Sequence, residues 1–142
     1  MQDNINVLDE LNKGAVMGCD AINFLIDKVD NEKLRLFLLE VYFDYEAVSD
    51  SANKLYLQYN NGKPHSTNLM NKMMTWSGIN MRLMKDSTDS KIAEMLVQGT
   101  TMGIIEGRRL LNGKKVDKRI HKLLNAFVNL QEKNVEILKK YL

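Results

Sequence analysis

One proline in 142 residues, Pro64, leaves this chain almost free of the residue that most effectively stops a helix. Most of the eight glycines stand inside periodic segments, so the turns of a many-stranded β fold have no punctuation. Apolar residues recur instead at alternating steps of three and four. Leu8, Leu11, Ala15, Gly18, Ile22, Leu25 and Val29 form one such face and predict a first helix over about residues 4 to 29.

The stripe resumes as Leu34, Leu38, Val41, Tyr45, Val48, Ala52, Leu55 and Tyr59, predicting a second helix over about 31 to 59 with Asp30 as its cap. A short connection makes it antiparallel to the first. Its first half, "LRLFLLEVYF", is apolar nearly all round and calls for a further neighbour, either a subunit interface or a covering helix. "NNGKPHS" at 60–66 reads as a loop, after which a third helix is predicted over about 66 to 85. "DSTDS" at 86–90 offers several caps, a fourth helix spans about 89 to 112 up to Asn112 and Gly113, and Asp117 caps a fifth that runs to the C-terminus. The fifth carries Ile120, Leu124, Phe127, Asn134, Leu138 and Tyr141 on one seam.

A chain of this length can remove roughly 70% of its unfolded surface from water, enough for one domain over 1–142 without a metal or disulfide as a staple. With 44% hydrophobic and 27% charged residues it falls in the range of soluble folded proteins. The single Cys19 has no intrachain partner, and "MQDNINVLDELNKG" has acids where a signal peptide has its basic region, so a reducing cytoplasm is the expected location. No stretch approaches the roughly 18 uncharged apolar residues that span a bilayer, so no membrane insertion is expected.

Five of the nine methionines and the only tryptophan fall within "LMNKMMTWSGINMRLM", residues 69–84. On a helix, Met70, Met74, Met81 and Met84 form one line, with Trp76 on the line beside it. Such a face closes a core, methionine filling irregular gaps around a large aromatic anchor, or it serves as a plastic surface for an apolar ligand or partner helix. A methionine metal box without nearby His or Cys would suit only Cu(I).

Gly14 and Gly18 are four apart in the first helix, and Gly99, Gly103 and Gly107 continue at steps of four in the fourth. Each interior glycine costs roughly 1 kcal/mol against alanine, so the ridges imply a compensating close approach of helices or of a ligand. Glu106 and Asn134 fall on core-facing seams, and buried polar groups need partners. The Cys19 thiol is expected to be inert and at least half buried, and the tyrosines of the second helix to pack with wet hydroxyls.

Charge is unevenly spread. Residues 1–60 carry 11 acids and 5 bases, whereas 108–142 carry 10 bases and 3 acids. Arg108, Arg109, Lys114, Lys115, Lys118, Arg119 and Lys122 make a basic corner that could bind an anion. If the helices alternate in direction, this corner lies at the end that holds the N-terminus, where Asp3, Asp9 and Glu10 would pair with it. No RNA-binding aromatic motif or helix-turn-helix accompanies it, so nucleic acid is not the expected partner. Neither a phosphate loop nor G-x-S-x-G is present.

The stretch from "NGKP" through "TWSGINM", "QGTTMGIIEG" and "VNLQEKNVEILKKYL" resembles a small bacterial branch of the ferritin-like superfamily. The resemblance implies an all-α fold, a ferritin-like four-helix bundle with an additional crossover helix, five helices with antiparallel neighbours. The superfamily's di-iron chemistry draws a Glu from each of two helices and Glu-x-x-His from each of the other two. Glu46, Glu106 and Glu132 are the nearest matches and would hold iron or manganese. Ser49 and Val135 stand where histidines would follow, the first helix offers only Asp20, and His65 and His121 are misplaced by spacing. The expectation is therefore a non-enzymatic interaction or assembly protein that self-associates, without a cofactor. The alternatives are a degenerate di-metal carboxylate protein on Glu46, Glu106 and Glu132, and an apolar-ligand binder using Met70, Met74, Trp76, Met81 and Met84.

Overall fold

In a computed structural model, residues 2–64 and 87–142 are described, and they form four long helices with no strand among them. The third helix expected from the sequence, and with it the face of Met70, Met74, Trp76, Met81 and Met84, lies outside the described residues.

Helix α1 spans Gln2–Leu25 and tightens into a 3-10 turn at Ile26–Lys28, four residues before α2 begins at Glu32. α2, Glu32–Tyr59, is capped by Asn31 rather than Asp30, the Asn31 side chain accepting from the Leu34 N–H at 3.1 Å. The chain leaves α2 through Asn61 and Gly62, both at positive φ, where the Gly62 N–H reaches the Leu57 carbonyl at 2.8 Å. α3, Asp89–Gly113, starts at Thr88, whose hydroxyl accepts from the Lys91 N–H at 3.2 Å. α4, Lys118–Leu138, starts at Asp117 and ends in a 3-10 turn at Lys139–Tyr141. Asp117 takes the cap position without a side-chain cap bond, because its carboxylate instead accepts from the Tyr59 hydroxyl.

The helices pair as two antiparallel hairpins, α1 with α2 and α3 with α4, each packed closely within itself and meeting the other along a sparser contact. Two polar ties fix how they meet. At one end the Asp89 carboxylate accepts from the Asp30 and Asn31 backbone N–H groups, both at 2.9 Å, joining the α1–α2 turn to the start of α3. At the other, the Asn4 side chain accepts from the Asp117 N–H at 3.0 Å, and Tyr59 at the end of α2 meets Asp117 as well. So α3 runs antiparallel to α1, and the N-terminus shares its end with the α3–α4 turn, as expected. It follows that Tyr59 and Thr88, at the end of α2 and the start of α3, lie at opposite ends of the bundle.

The core holds the expected seams. Leu8, Leu11, Ala15, Ile22 and Leu25 of α1, Leu34, Leu38, Val41, Tyr45 and Ala52 of α2, and Ile120, Leu124, Phe127 and Leu138 of α4 are buried. Full burial of one such leucine or isoleucine contributes about 1.5–3 kcal/mol, and these seams supply the main driving force. α3 differs. Its buried positions are Ile92, Ala93, Leu96 and Gly107, and beyond Leu96 its large apolar residues Val97, Ile104, Leu110 and Leu111 pack against the core only partly buried. On α2, Leu36, Leu39 and Phe43 follow steps of three and four and are 57%, 40% and 61% exposed.

Candidate functional site

Small residues face each other where α1 and α3 run side by side. Gly14, Gly18 and Ala21 on α1 oppose Gly99, Thr100, Gly103 and Gly107 on α3, and the space left over is a cavity of about 1110 Å³. Phe37, Leu38, Val41 and Tyr45 of α2 and Leu124, Phe127, Gln131 and Asn134 of α4 form its far wall. Met17, Met95 and Met102 add soft, adaptable lining. Specific ligands commonly occupy apolar cavities of about 300–1,000 Å³ carrying a few placed polar groups.

All five interior glycines line this space, but they do two different things. A side chain at Gly18 would overlap the Tyr45 ring, one at Gly103 would overlap the Gln131 amide, and one at Gly107 would overlap Val128. At Gly14 a Cβ would sit 3.2 Å from the Phe127 ring. These four glycines let side chains from the neighbouring helices come up against a helix backbone. Gly99 is different: a Cβ there would meet nothing within 4 Å among the described residues. The glycine ridges therefore serve side-chain intrusion at four positions and open space at the fifth, rather than contact between the α1 and α3 backbones.

The wall of the cavity carries a polar cluster. Asn134, 3% exposed, donates through Nδ2 to the Tyr45 hydroxyl at 3.2 Å, and Thr100 on α3 also hydrogen-bonds to Tyr45. Burial pushes the Tyr45 hydroxyl above the usual tyrosine value, against the pull of those two hydrogen bonds. So Tyr45 is a buried, bonded hydroxyl and not a wet one. One turn away Gln131, 4% exposed, presses its amide on Gly103, and its Oε1 has no hydrogen-bond partner among the described residues. Sequence reasoning found Asn134 but missed Gln131, which lies on the same seam between Leu124 and Leu138. The signal was available there: a second amide on a seam expected to be apolar.

The carboxylates singled out for metal are not gathered. Glu46 is exposed on α2 beside Tyr42, with which it shares a hydrogen bond. Glu106 does not point into the core as its seam position suggested; its side chain is 53% exposed and lies 3.8 Å from Arg109. Glu132 pairs with Arg108 at 2.9 Å. Among the described residues no group of three His, Cys, Asp or Glu side chains is placed to hold a metal ion, so Glu46, Glu106 and Glu132 do not fit a di-metal centre as a set.

The basic corner is partly spent on internal contacts. Lys114 lies 3.9 Å from Asp3, the Lys115 N–H donates to the same carboxylate at 3.4 Å, and Arg119 donates to Gln58 at 3.0 Å. With Arg108 and Arg109 bound to the two glutamates, Lys115, Lys118, Arg119 and Lys122 are left as exposed cations without an ion pair among the described residues. Asp3 thus meets the bases as expected, while Asp9 lies near Tyr56 instead.

Cys19 is half buried on α1, its thiol donating to the Tyr42 carbonyl at 3.6 Å. Burial, reinforced by the charges of Glu46, Asp20 and Asp50, pushes its pKa up to about 11. A thiol so strongly protonated is a poor nucleophile, as expected from the sequence. No described helix is long and apolar enough to cross a membrane. Comparison with protein-family models, with curated proteins and with solved structures gave no match for this chain.

Proposed function

We propose that this protein binds an elongated apolar small molecule in the cleft between α1 and α3. The observation that carries this reading is the cavity of about 1110 Å³, bounded by glycines on two helices and walled by aromatic, leucine and methionine side chains. Sequences that only need a stable bundle fill such a space with leucine, since each buried methylene contributes about 0.8 kcal/mol. Here α3 places Gly99 and Thr100 there instead. Met17, Met95 and Met102 supply the soft lining of this cleft, while the methionines of 69–84, on which the sequence reading placed its apolar-ligand face, lie outside the described residues.

The test uses N-phenyl-1-naphthylamine, a neutral apolar fluorophore. The wild-type protein brightens it at saturable stoichiometry, and Gly99→Leu, which projects into open space and removes an interior glycine, weakens binding at least tenfold with helical content and melting temperature retained. Unsaturable brightening, or unchanged binding in Gly99→Leu, sinks the proposal.

Self-association belongs to the same proposal on a separate observation, the exposed Leu36, Leu39 and Phe43 line on α2. Sedimentation of the wild type against Phe43→Lys tests it: an oligomer that the substitution dissociates supports it, and a monomeric wild type removes it. The ferritin-like layout is kept as part of the proposal. It is supported by two antiparallel hairpins whose joining ends lie at opposite ends of the bundle, the layout that a crossover connection serves.

A further inference from the structure

Resting on the cleft reading above, we infer that the ligand is an amphiphile with an uncharged hydrogen-bonding head, an alcohol or a carboxamide, seated at Gln131 with its tail directed toward the α1–α2 turn.

The head is placed by an unpaired amide. Gln131 is 4% exposed, lines the cavity, and has no hydrogen-bond partner for its Oε1 among the described residues, a condition rare for buried polar groups in folded proteins. The amide lies against Gly103, and no side chain is possible at that position without displacing it. Close by, Tyr45 is already engaged with Asn134 and Thr100, so the unpaired capacity of the cluster is concentrated at Gln131. A neutral hydroxyl or amide can both donate to and accept from a carboxamide.

A charged head fits poorly. The charged side chains nearest Gln131 among the described residues are already paired, Arg108 with Glu132 and Glu106, one turn along α3 from Gly103, with Arg109. The charged groups lining the cavity are Glu10, Lys13 and Glu106, all toward the end holding the N-terminus, with Glu106 already beside Arg109. A carboxylate held at Gln131 would be desolvated without a counter-ion, and an ammonium likewise. Toward the other end the lining includes Ile22, Leu25, Phe37, Leu96 and Leu138, ample apolar surface for a tail, while the polar groups there are Asn134 and Thr100, both engaged with Tyr45, and the exposed Gln98.

The experiment is displacement of N-phenyl-1-naphthylamine by four ten-carbon probes below their solubility limits: 1-decanol, decanamide, decanoate and decylammonium. Decanol and decanamide are expected to displace at concentrations at least tenfold lower than either ion. Gln131→Leu, which removes an unpaired buried amide, is expected to keep fluorophore binding while erasing most of that tenfold preference. Lys122→Gln, at an exposed residue outside the cavity, serves as the control variant and is expected to leave the order of the probes intact. An ion binding best, or a Gln131→Leu protein that still prefers the neutral heads, overturns the inference with the cleft reading standing. Failure of the wild type to bind the fluorophore at all removes both.

Discussion

Asn134 on α4 donates its Nδ2 to the hydroxyl of Tyr45 on α2 at 3.2 Å, a buried bond between residues 89 positions apart that ties the two hairpins together inside the core. Both groups are shielded from water, so neither has a cheap substitute partner. Tyr45→Phe keeps the ring against Gly18 and Phe127 but strands the Asn134 amide, at an expected cost of about 1–3 kcal/mol. Replacing both, Tyr45→Phe with Asn134→Leu, should cost less than Tyr45→Phe alone. Urea denaturation of the four proteins in the cycle measures the coupling, and additive losses would show that the bond contributes nothing specific.

The glycines should respond in opposite directions to one added methyl group. Gly99→Ala enters open space and gains helix propensity, so stability rises by up to about 1 kcal/mol. Gly18→Ala and Gly107→Ala force Tyr45 and Val128 to move in a packed core, and overpacking of that kind costs about 1–3 kcal/mol. Thermal melts of the three variants settle the matter; a common sign for all three would contradict the division between Gly99 and the rest.

Cys19 should be nearly silent to alkylation at pH 8. With its pKa raised from 9.0 to about 11, the thiolate fraction there falls about a hundredfold below that of an ordinary thiol. Iodoacetamide labelling followed by mass spectrometry should accelerate only as the pH approaches 11, and denaturant should restore ordinary reactivity. The linkage has a definite sign: the fold favours the protonated thiol, so this contribution to stability is intact below pH 9 and is lost as the pH rises toward 11. Rapid labelling of the folded protein at pH 8 would contradict the burial of the thiol.

The Arg108–Glu132 pair should be nearly dispensable. Both side chains are close to half exposed at 2.9 Å separation, and exposed pairs of this kind contribute about 0.2–1 kcal/mol, less in salt. A double-mutant cycle with Arg108→Ala and Glu132→Ala in low and high salt reads the coupling directly. A coupling well above that range, or insensitive to salt, would give the pair a role beyond surface pairing.

Helix content and core seams were legible because they depend on spacing. Leu8, Leu11, Ala15, Ile22 and Leu25 recur at helical period, and the apolar face they make has to be buried wherever the helix goes. Alternating helix direction also followed from the sequence, which expected Asp3, Asp9 and Glu10 at the basic corner; Asp3 meets Lys114 there, whereas Asp9 lies near Tyr56. Caps were less well placed: Asp30 and Asn31 are equally capable in isolation, and in the fold the Asp89 carboxylate, far along the chain, accepts from both their N–H groups while the Asn31 side chain caps α2.

The site was not legible in the same way. Glu106 occupies a seam position yet turns out to solvent beside Arg109, because α3 stands away from α1 where both are lined by glycine and the seam has nothing to close against. Gln131 and Asn134 look alike in sequence, one turn apart on one face. Only the tertiary arrangement gives Asn134 a partner in Tyr45 and leaves the Oε1 of Gln131 without one, since a hydrogen bond needs two groups brought within about 3 Å and helical periodicity carries no information about distance between helices. The sequence by itself thus determined which residues face inward; how far apart the inward faces stand, and so whether they enclose a cavity, was decided by the side chains that meet across the hairpins.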